Sequence, residues 1–144
     1  KNCKLYNNCV GHKNTDTTMS KYLYDGYDLE VKYNIKNKFN YGGIGLGKNG
    51  EKTEMITIDS LNLNKCDYIK LDCEGSEILA LMGGVNTIKK LKPIIVFEHT
   101  DKCVTNEMKE ALNIDFTIPD IKNFLIDLGY NLNYIDANNI IATF

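Results

Sequence analysis

The stretch Tyr68-Ile-Lys-Leu-Asp-Cys-Glu-Gly-Ser-Glu77 joins a short apolar run to a polar turn and the beginning of a helix. Its first four residues predict a strand, which Asp72 closes. Apolar residues then recur at helical spacing from Ser76 to about Leu91, which predicts one helix there. The next apolar run, Ile94 to Phe97, is typical of a strand buried on both faces of a sheet. The order strand, helix, strand predicts two neighbouring parallel strands.

The flanking sequence predicts further strands and helices around this unit. A polar, glycine-dotted excursion runs from Thr15 to about Gly50, and two strands around a turn at Asp136 to Asn139 form a C-terminal antiparallel hairpin. Strands that alternate with helices indicate an α/β fold with a mostly parallel sheet covered on both faces. The remaining predicted elements are strands Lys4–Val10, Thr53–Ile58, Tyr130–Ile135 and Ile140–Phe144, a helical turn Leu61–Leu63 capped by Asp59 or Ser60, and helices Asn106–Leu112 and Thr117 to Gly129.

Bulk properties place the chain among ordinary globular proteins. Its 144 residues fit a single domain, 1–144, and 43% hydrophobic and 25% charged residues are usual values. A net charge of −2 gives no indication of nucleic acid or of an anionic membrane surface. No apolar run approaches the roughly 20 residues of a membrane-spanning helix. Five cysteines without a Cys-x-x-Cys pair are interpreted as free thiols in a reducing, cytoplasmic compartment. The oligomeric state stays open.

Two of the predicted strands end in concentrated polar residues. One ends at Asp72, which Glu74 follows, and the other ends at Glu98 and His99. In an open parallel sheet, ligands bind at the carboxyl ends of the strands, so these groups are expected to share one crevice. A carboxylate or an imidazole in that crevice could take a proton from an acceptor hydroxyl as a general base.

Two other interpretations of these acidic residues stay open. Asp72 and Glu74 lie at a strand-to-helix junction, where carboxylates could simply cap the helix and satisfy its amides. The same cluster could hold a hard divalent cation through oxygen ligands, although no metal ligand is assigned.

Three segments of the chain resemble the FkbM family of S-adenosylmethionine-dependent methyltransferases. The segments are Ile56-Thr-Ile-Asp-Ser-Leu61, Asp67-Tyr-Ile-Lys-Leu-Asp-Cys-Glu-Gly-Ser-Glu77 and Lys92-Pro-Ile-Ile-Val-Phe-Glu-His99. The family shows a Thr-Leu-Asp-Ser-Leu segment, an Ile-Lys-Ile-Asp-Val-Glu-Gly-Ala-Glu segment, and a Lys-Pro that leads to an apolar strand ending in Glu. Shorter matches extend the resemblance over nearly the whole chain, at Leu5–Gly11, Phe39–Gly43 and Gly129–Leu132.

The resemblance implies a Rossmann-like methyltransferase sheet with a C-terminal antiparallel hairpin, S-adenosylmethionine as cofactor, and roles for individual residues. The candidate catalytic residues are Asp72, Glu98 and His99. The candidate cofactor-binding residues are Cys9, Val10, Gly11 and Asp72. The candidate substrate-binding residues are Glu74, Tyr41, Gly42 and Gly43.

One part of the family pattern is missing from this sequence. The family carries a cofactor-binding glycine motif on its first strand and an acidic ribose-binding residue after its second, whereas Lys1 corresponds to a point just before the third. The run Gly42-Gly-Ile-Gly-Leu-Gly47 has spaced glycines, but no clear strand precedes it and no helix follows it. We therefore interpret this run as a flexible or acceptor-facing loop. The chain is expected to be an N-terminally incomplete domain that binds the cofactor poorly by itself.

Two function hypotheses follow from these observations. The first is an S-adenosylmethionine-dependent O-methyltransferase that acts on a hydroxyl of a sugar or small metabolite, with a small-molecule or glycan acceptor as its partner. The second is a truncated, non-catalytic Rossmann-like interaction module, which would pair with another chain through an exposed sheet edge. A glycine-rich strand-turn-helix segment before Lys1 would favour the enzyme.

Overall fold

The computed structural model describes residues 2–21, 43–99 and 104–144. Strands and helices alternate through its central part, and two strands end the chain. The strands are β1 (Cys9–Val10), β2 (Thr15–Ser20), β3 (Asn49–Ile56), β4 (Tyr68–Leu71), β5 (Ile94–Glu98), β6 (Asn131–Tyr134) and β7 (Asn139–Thr143). The helices are α1 (Glu77–Met82), α2 (Val85–Leu91), α3 (Asn106–Ala111) and α4 (Ile121–Asp127), and a 3₁₀ turn spans Asp59–Leu61.

A four-stranded sheet has the order β4-β5-β7-β6 and contains the strand-helix-strand unit from Tyr68 to Glu98. β4 and β5 are parallel, with Leu71 opposite Phe97, as the strand-helix-strand order predicts. β7 lies antiparallel to both of its neighbours, β5 and β6. The predicted C-terminal hairpin is therefore confirmed, and its second strand is inserted between β5 and β6.

A separate three-stranded sheet has the order β1-β3-β2. β1 is parallel to β3 and β2 is antiparallel to it. The predicted first strand, Lys4–Val10, is reduced to the two residues of β1, and the predicted strand Thr53–Ile58 begins earlier, at Asn49.

The prediction of a mostly parallel sheet is wrong for the described residues. Of the five strand pairings, two are parallel and three are antiparallel. The physical reason is connection length, since a tight turn can only return the chain antiparallel, whereas a parallel neighbour needs a longer crossover. The hairpin between β6 and β7 has such a turn. The observed fold is a mixed α/β arrangement with two sheets.

The predicted helix from Ser76 to Leu91 is divided into α1 and α2 at Gly83 and Gly84. A Cβ on Gly83 would lie 1.9 Å from the carbonyl oxygen of Gly11, so a glycine is required where the end of α1 meets the end of β1. The carboxylate of Asp59 then accepts hydrogen bonds from the backbone N–H groups of Asn86 and Thr87, at 3.1 and 2.7 Å. Asp59 thus caps α2, and the helical turn predicted at Leu61–Leu63 lies earlier, at Asp59–Leu61, with Asp59 inside it.

Helix α1 lies between the two sheets and is buried around its whole circumference over Glu77–Leu81. Ala80 and Leu81 pack with residues of the four-stranded sheet. Ile78 and Leu79 pack with Met55 of β3 and Met108 of α3. A helix that is apolar on all sides is expected inside a protein and not at its surface. This helix therefore fixes the position of the turn after β4 relative to the three-stranded sheet.

Cys3, Cys9, Cys66 and Cys73 are free thiols, as the sequence predicts, and Cys103 lies outside the described residues. No helix within residues 2–21, 43–99 and 104–144 combines the length and the apolar content that crossing a membrane requires.

Candidate active site

The turn between β4 and α1 has an unusual backbone. Asp72 follows β4 directly. After Cys73, the residues Glu74 and Gly75 both have positive φ, at 49° and 92°. Glycine adopts this left-handed region freely, whereas a residue with a Cβ does so at an energetic cost. Positions of this kind persist only where the surroundings hold them, and they cluster at functional sites.

Two side chains from the beginning of α1 hold this turn. The carboxylate of Glu77 accepts a hydrogen bond from the backbone N–H of Cys73, with a distance of 2.6 Å from Oε1. The hydroxyl of Ser76 donates to the carbonyl oxygen of Cys73 at 2.9 Å. Glu77 is only 6% exposed and Ser76 only 3%. Both backbone groups of the residue after Asp72 are therefore fixed from inside the protein.

The turn borders a cleft of about 230 Å³ between the two sheets. Its wall combines residues of the three-stranded sheet, of the glycine-containing loop that includes Ile44 and Leu46, and of the turn after β4. The lining residues are Asn8, Cys9, Val10, Met19, Ile44, Leu46, Asp72, Cys73, Glu74 and Ser76. The cleft thus brings together four of the sequence-predicted site residues, Cys9, Val10, Asp72 and Glu74.

The described side chains that line this cleft include carboxylates and no basic group. Asp72 and Glu74 contribute two carboxylates, and no Lys, Arg or His is among the described residues that line it. Lys70 lies beside the cleft, with its ammonium 2.8 Å from Oδ2 of Asp72. The hydrogen bond and the charge of Asp72 raise the pKa of Lys70, so Lys70 stays charged at neutral pH. A neutral or cationic ligand suits such a cleft better than an anion.

The thiols of the cleft are protonated at neutral pH. Burial raises the pKa of Cys73 to about 11, and the charges of Glu77 and Asp72 act in the same direction, against a hydrogen bond from the Asp72 backbone. Burial also raises the pKa of Cys9, whose thiol donates to the sulfur of Met19 at 3.3 Å. These sulfur groups are therefore apolar wall and not nucleophiles.

The glycine-containing loop covers one side of the Asp72 turn. A Cβ on Gly45 would lie 3.1 Å from the carbonyl oxygen of Glu74, and the neighbouring side chains of Ile44 and Leu46 face the cleft. This placement supports the interpretation of the glycine run as an acceptor-facing loop. Gly43 is half-buried and is not part of the cleft wall, while Tyr41 and Gly42 lie outside the described residues.

Glu98 and His99 lie at the end of β5, next to the turn, but outside the cleft wall. Glu98 pairs with Asn139 of β7, and the backbone N–H of His99 donates to the carbonyl oxygen of Asn138 at 2.6 Å. The His99 ring also packs edge-on against Phe97, with 6.4 Å between ring centroids. The sequence predicts one crevice for Asp72, Glu74, Glu98 and His99. Of these four residues, Asp72 and Glu74 line the cleft, and Glu98 and His99 do not.

Gly11 lies behind the cleft and not in its wall. It is buried, its N–H donates to the carbonyl oxygen of Ile56 at 2.9 Å, and its own carbonyl is the group that Gly83 approaches. Its position supports the end of β1, on which the cleft residues Cys9 and Val10 lie. A direct cofactor contact by Gly11 stays a prediction.

Sequence reasoning missed six residues of the cleft wall: Asn8, Met19, Ile44, Leu46, Cys73 and Ser76. Most are apolar, and an apolar residue beside a site has no sequence signal that distinguishes it from core. Ser76 and Glu77 did carry a signal, because both belong to the block that begins at Asp72. Both are polar residues within five positions of Asp72, and a polar side chain that becomes buried there is expected to have a hydrogen-bond partner.

The described residues contain no group of three or more His, Cys, Asp or Glu side chains arranged to hold a metal ion.

The chain belongs to the FkbM methyltransferase family. The sequence model of this family, described as the methyltransferase FkbM domain, matches residues 1–132 of the 144. The protein is therefore a methyltransferase by family, as the three quoted segments indicate. Neither a comparison with curated proteins nor one with solved structures gives a match.

Proposed function

We propose that this protein is an S-adenosylmethionine-dependent O-methyltransferase that acts on a hydroxyl group of a sugar or another small metabolite. One observation carries the proposal. Asp72 and Glu74, from the turn after β4, share a single cleft with Cys9 and Val10 of β1. A candidate catalytic residue, a candidate substrate-binding residue and two candidate cofactor-binding residues thus line the same cleft.

The cleft residues fit part of this cofactor. S-adenosylmethionine carries a positive sulfonium, and the cleft offers two carboxylates with no basic residue in its described wall. The apolar side chains of Val10, Met19 and Leu46 suit a methyl group or a flat ring. A volume of about 230 Å³ lies below the roughly 300–1,000 Å³ of usual ligand sites, so the described residues enclose only a part of the ligand.

The cofactor supplies an activated methyl group on its sulfonium. The protein's own contribution is to orient the acceptor hydroxyl and to accept its proton. Asp72 suits the general base, because it lines the cleft and the backbone of the next residue, Cys73, is held by Glu77 and Ser76. Glu74 lines the same cleft and suits hydrogen bonding to a second hydroxyl of a polyhydroxylated acceptor.

The test is methyl transfer by the full-length protein. The purified protein is incubated with S-adenosylmethionine labelled with ¹³C in its methyl group and with neutral sugars, phenols and amines as separate acceptors. We expect the label on oxygen of a hydroxyl-bearing acceptor, identified by NMR and mass spectrometry. Transfer exclusively to nitrogen, carbon or sulfur would contradict the proposed acceptor class, and binding of no S-adenosylmethionine would contradict the proposed cofactor.

A second candidate, a non-catalytic interaction module, is favoured by the position of β4. In the described part of the chain, β4 is an edge strand of its sheet, and Tyr68 on it is 53% exposed. An open edge presents unpaired backbone groups to another strand. Hydrogen exchange of the β4 amides in the full-length protein distinguishes the two. Protection that appears only on addition of a partner protein would favour the module, and protection in the isolated protein would indicate an intramolecular neighbour.

A further inference from the structure

We propose that Glu77 is a positioning residue, whose buried carboxylate fixes the turn that presents Asp72 and Glu74 to the cleft. The inference rests on the proposed function, in which Asp72 is the general base. It assigns a role to a residue that touches neither the cofactor nor the acceptor, since Glu77 is not part of the cleft wall. It acts through the backbone of Cys73.

The burial of Glu77 requires an explanation. Its side chain belongs to a residue that is 6% exposed, on a helix that is buried around its whole circumference. A buried carboxylate is unfavourable unless hydrogen bonds compensate for the lost hydration. The bond that Glu77 accepts from Cys73 N–H is 2.6 Å long, shorter than the roughly 2.9–3.0 Å typical of N–H···O bonds, and hydrogen bonds to carboxylates are shorter than those between neutral groups. The buried carboxylate of Glu77 thus binds a backbone group of the turn.

This contact differs from an ordinary helix cap. Thr105 and Asp120 cap α3 and α4 by accepting N–H groups from inside their own helices, those of Met108 and Asn123. Glu77 reaches backward instead, to an N–H four residues before it and outside α1. Ordinary capping would satisfy the helix, whereas this bond immobilises the residue next to Asp72.

The turn needs such a tie because of its backbone. Glu74 has a φ of 49°, a region that disfavours side chains with a Cβ, and a relaxed turn would leave it. Gly45 packs against the Glu74 carbonyl, so a shift of the turn would also displace the loop that covers the cleft. Ser76 supplies a second tie to the Cys73 carbonyl. The geometry therefore couples Glu77 to both carboxylates of the cleft.

The test compares Glu77→Ala with Glu77→Gln in the full-length protein, with Glu51→Ala as the control for loss of an exposed carboxylate. The Gln variant keeps an oxygen that can accept the Cys73 N–H, and the Ala variant does not. We expect Glu77→Ala to lower kcat by about 10- to 100-fold, because a small misplacement of a reacting group has effects of this size. KM for the acceptor should also rise, because the same turn carries Glu74, which lines the cleft. Glu77→Gln should recover most of the rate, and Glu51→Ala should match the wild type.

A second readout does not depend on activity. Amide hydrogen exchange at Cys73 should accelerate in Glu77→Ala and remain near wild type in Glu77→Gln. If exchange at Cys73 is unchanged in Glu77→Ala, or if it accelerates while kcat stays at the wild-type value, the positioning role is wrong. If Glu77→Ala does not fold, Ser76→Ala takes its place, because it removes the other tie to Cys73, and wild-type kcat with unchanged exchange at Cys73 in Ser76→Ala would overturn the proposal. A wild-type protein without methyl transfer would contradict the proposed function instead, while the exchange data still decide whether Glu77 holds the turn.

Discussion

The two parallel neighbours β4 and β5 end side by side, yet their ends are built differently. The end of β5 is tied into its own sheet, because Glu98 pairs with Asn139 and His99 donates to Asn138. Within the described residues, the pairing of β4 with a neighbouring strand ends at Leu71. The turn after β4 lies instead beside the three-stranded sheet and the loop around Gly45.

The difference follows from position in the sheet. β5 is an interior strand with a neighbour on each side, so its last residues are held by sheet hydrogen bonds. Among the described residues, β4 lies at the edge of its sheet, and the turn after it is held by side chains from the beginning of α1. A turn held by side chains can take the left-handed backbone that a sheet excludes. The acidic end that reaches the cleft is therefore the one after β4.

The largest expected effect tests this comparison directly. Asp72→Asn keeps the shape of the side chain but removes the general base, so kcat/KM should fall by about 10²- to 10⁴-fold. Glu98→Gln and His99→Gln should have smaller effects, because neither residue lines the cleft. Steady-state methyl transfer by the full-length protein measures all three. A larger loss in Glu98→Gln or His99→Gln than in Asp72→Asn would move the base to the end of β5.

The next effect concerns the thiol of the same turn. The pKa of Cys73 is raised from 9.0 to about 11, so its thiolate fraction near pH 8 is about 100-fold lower than for an ordinary thiol. Alkylation by iodoacetamide should be slower at Cys73 than at exposed Cys3 by at least this factor. Peptide mass spectrometry after timed labelling measures both rates. Equal rates in the native protein would show that the turn is open, and the urea-denatured protein is the control.

The raised pKa of Cys73 also makes folding stability depend on pH. The folded state binds this proton more tightly than the unfolded chain, whose thiol has the ordinary value of 9.0. The contribution is therefore fully present below about pH 9 and is lost as the pH rises through about 11. Urea unfolding between pH 8 and pH 11 should show a smaller alkaline loss in Cys73→Ala than in the wild type. An identical alkaline loss in both would contradict the shift.

A third effect tests the junction that brings β1 to the turn. Gly83→Ala would place a Cβ 1.9 Å from the Gly11 carbonyl oxygen, so the two backbones must separate. Overpacking of this kind typically costs about 1–3 kcal/mol of unfolding free energy. Gly84→Ala is the matched control, because its Cβ would meet only the Ile58 side chain, at 3.1 Å. Chemical unfolding measures both, and an equal cost for the two variants would contradict the proposed close approach.

The smallest effect lies away from the cleft. Asp59→Ala removes the cap of α2 and should cost about 0.5–2 kcal/mol of unfolding free energy. Burial raises the pKa of Asp59, but hydrogen bonds from Thr87 and Asn86 outweigh it and lower the pKa below 3.8. The stabilisation is therefore present above about pH 4 and is lost as the pH falls through the lowered pKa.

Asp67→Ala is the control for this cap, since Asp67 forms an ion pair with Lys65 in which both side chains are largely exposed. Exposed pairs contribute about 0–1 kcal/mol. Thermal unfolding at pH 7 and pH 3 should show a pH-dependent difference between wild type and Asp59→Ala and almost none for Asp67→Ala. Methyl transfer should be unaffected by Asp59→Ala, because Asp59 is not part of the cleft wall.

Much of the local structure could be predicted from the sequence. Strand β4 was predicted with its observed bounds, and β5, α3 and the C-terminal hairpin within a residue or two. The helix around Phe124 was also predicted, but it begins only at Ile121, and Asp120 caps it in place of Thr117. Asp and Thr are both good caps, so the sequence could not decide between them.

The site was predictable in part. The block after β4 indicated where the acidic cleft residues lie, because Asp72 and Glu74 directly follow an apolar strand. The break between α1 and α2 was not predicted, since the apolar spacing continues across Gly83 and Gly84 as in one helix. Only the contact with Gly11 shows why glycine lies there. The roles of Glu98 and His99, and of Tyr41 and Gly42, stay predictions.

By itself, the sequence determined the strand-helix-strand unit, the final hairpin and the methyltransferase family, because each depends on the spacing of neighbouring residues. Only the tertiary structure decided which acidic residues reach the cleft. Cys9 faces the Asp72 turn because β1 pairs with β3 at Met55 and because α1 packs between the two sheets. Pairings between distant segments depend on how buried surfaces fit together in three dimensions, and local spacing carries no record of that fit.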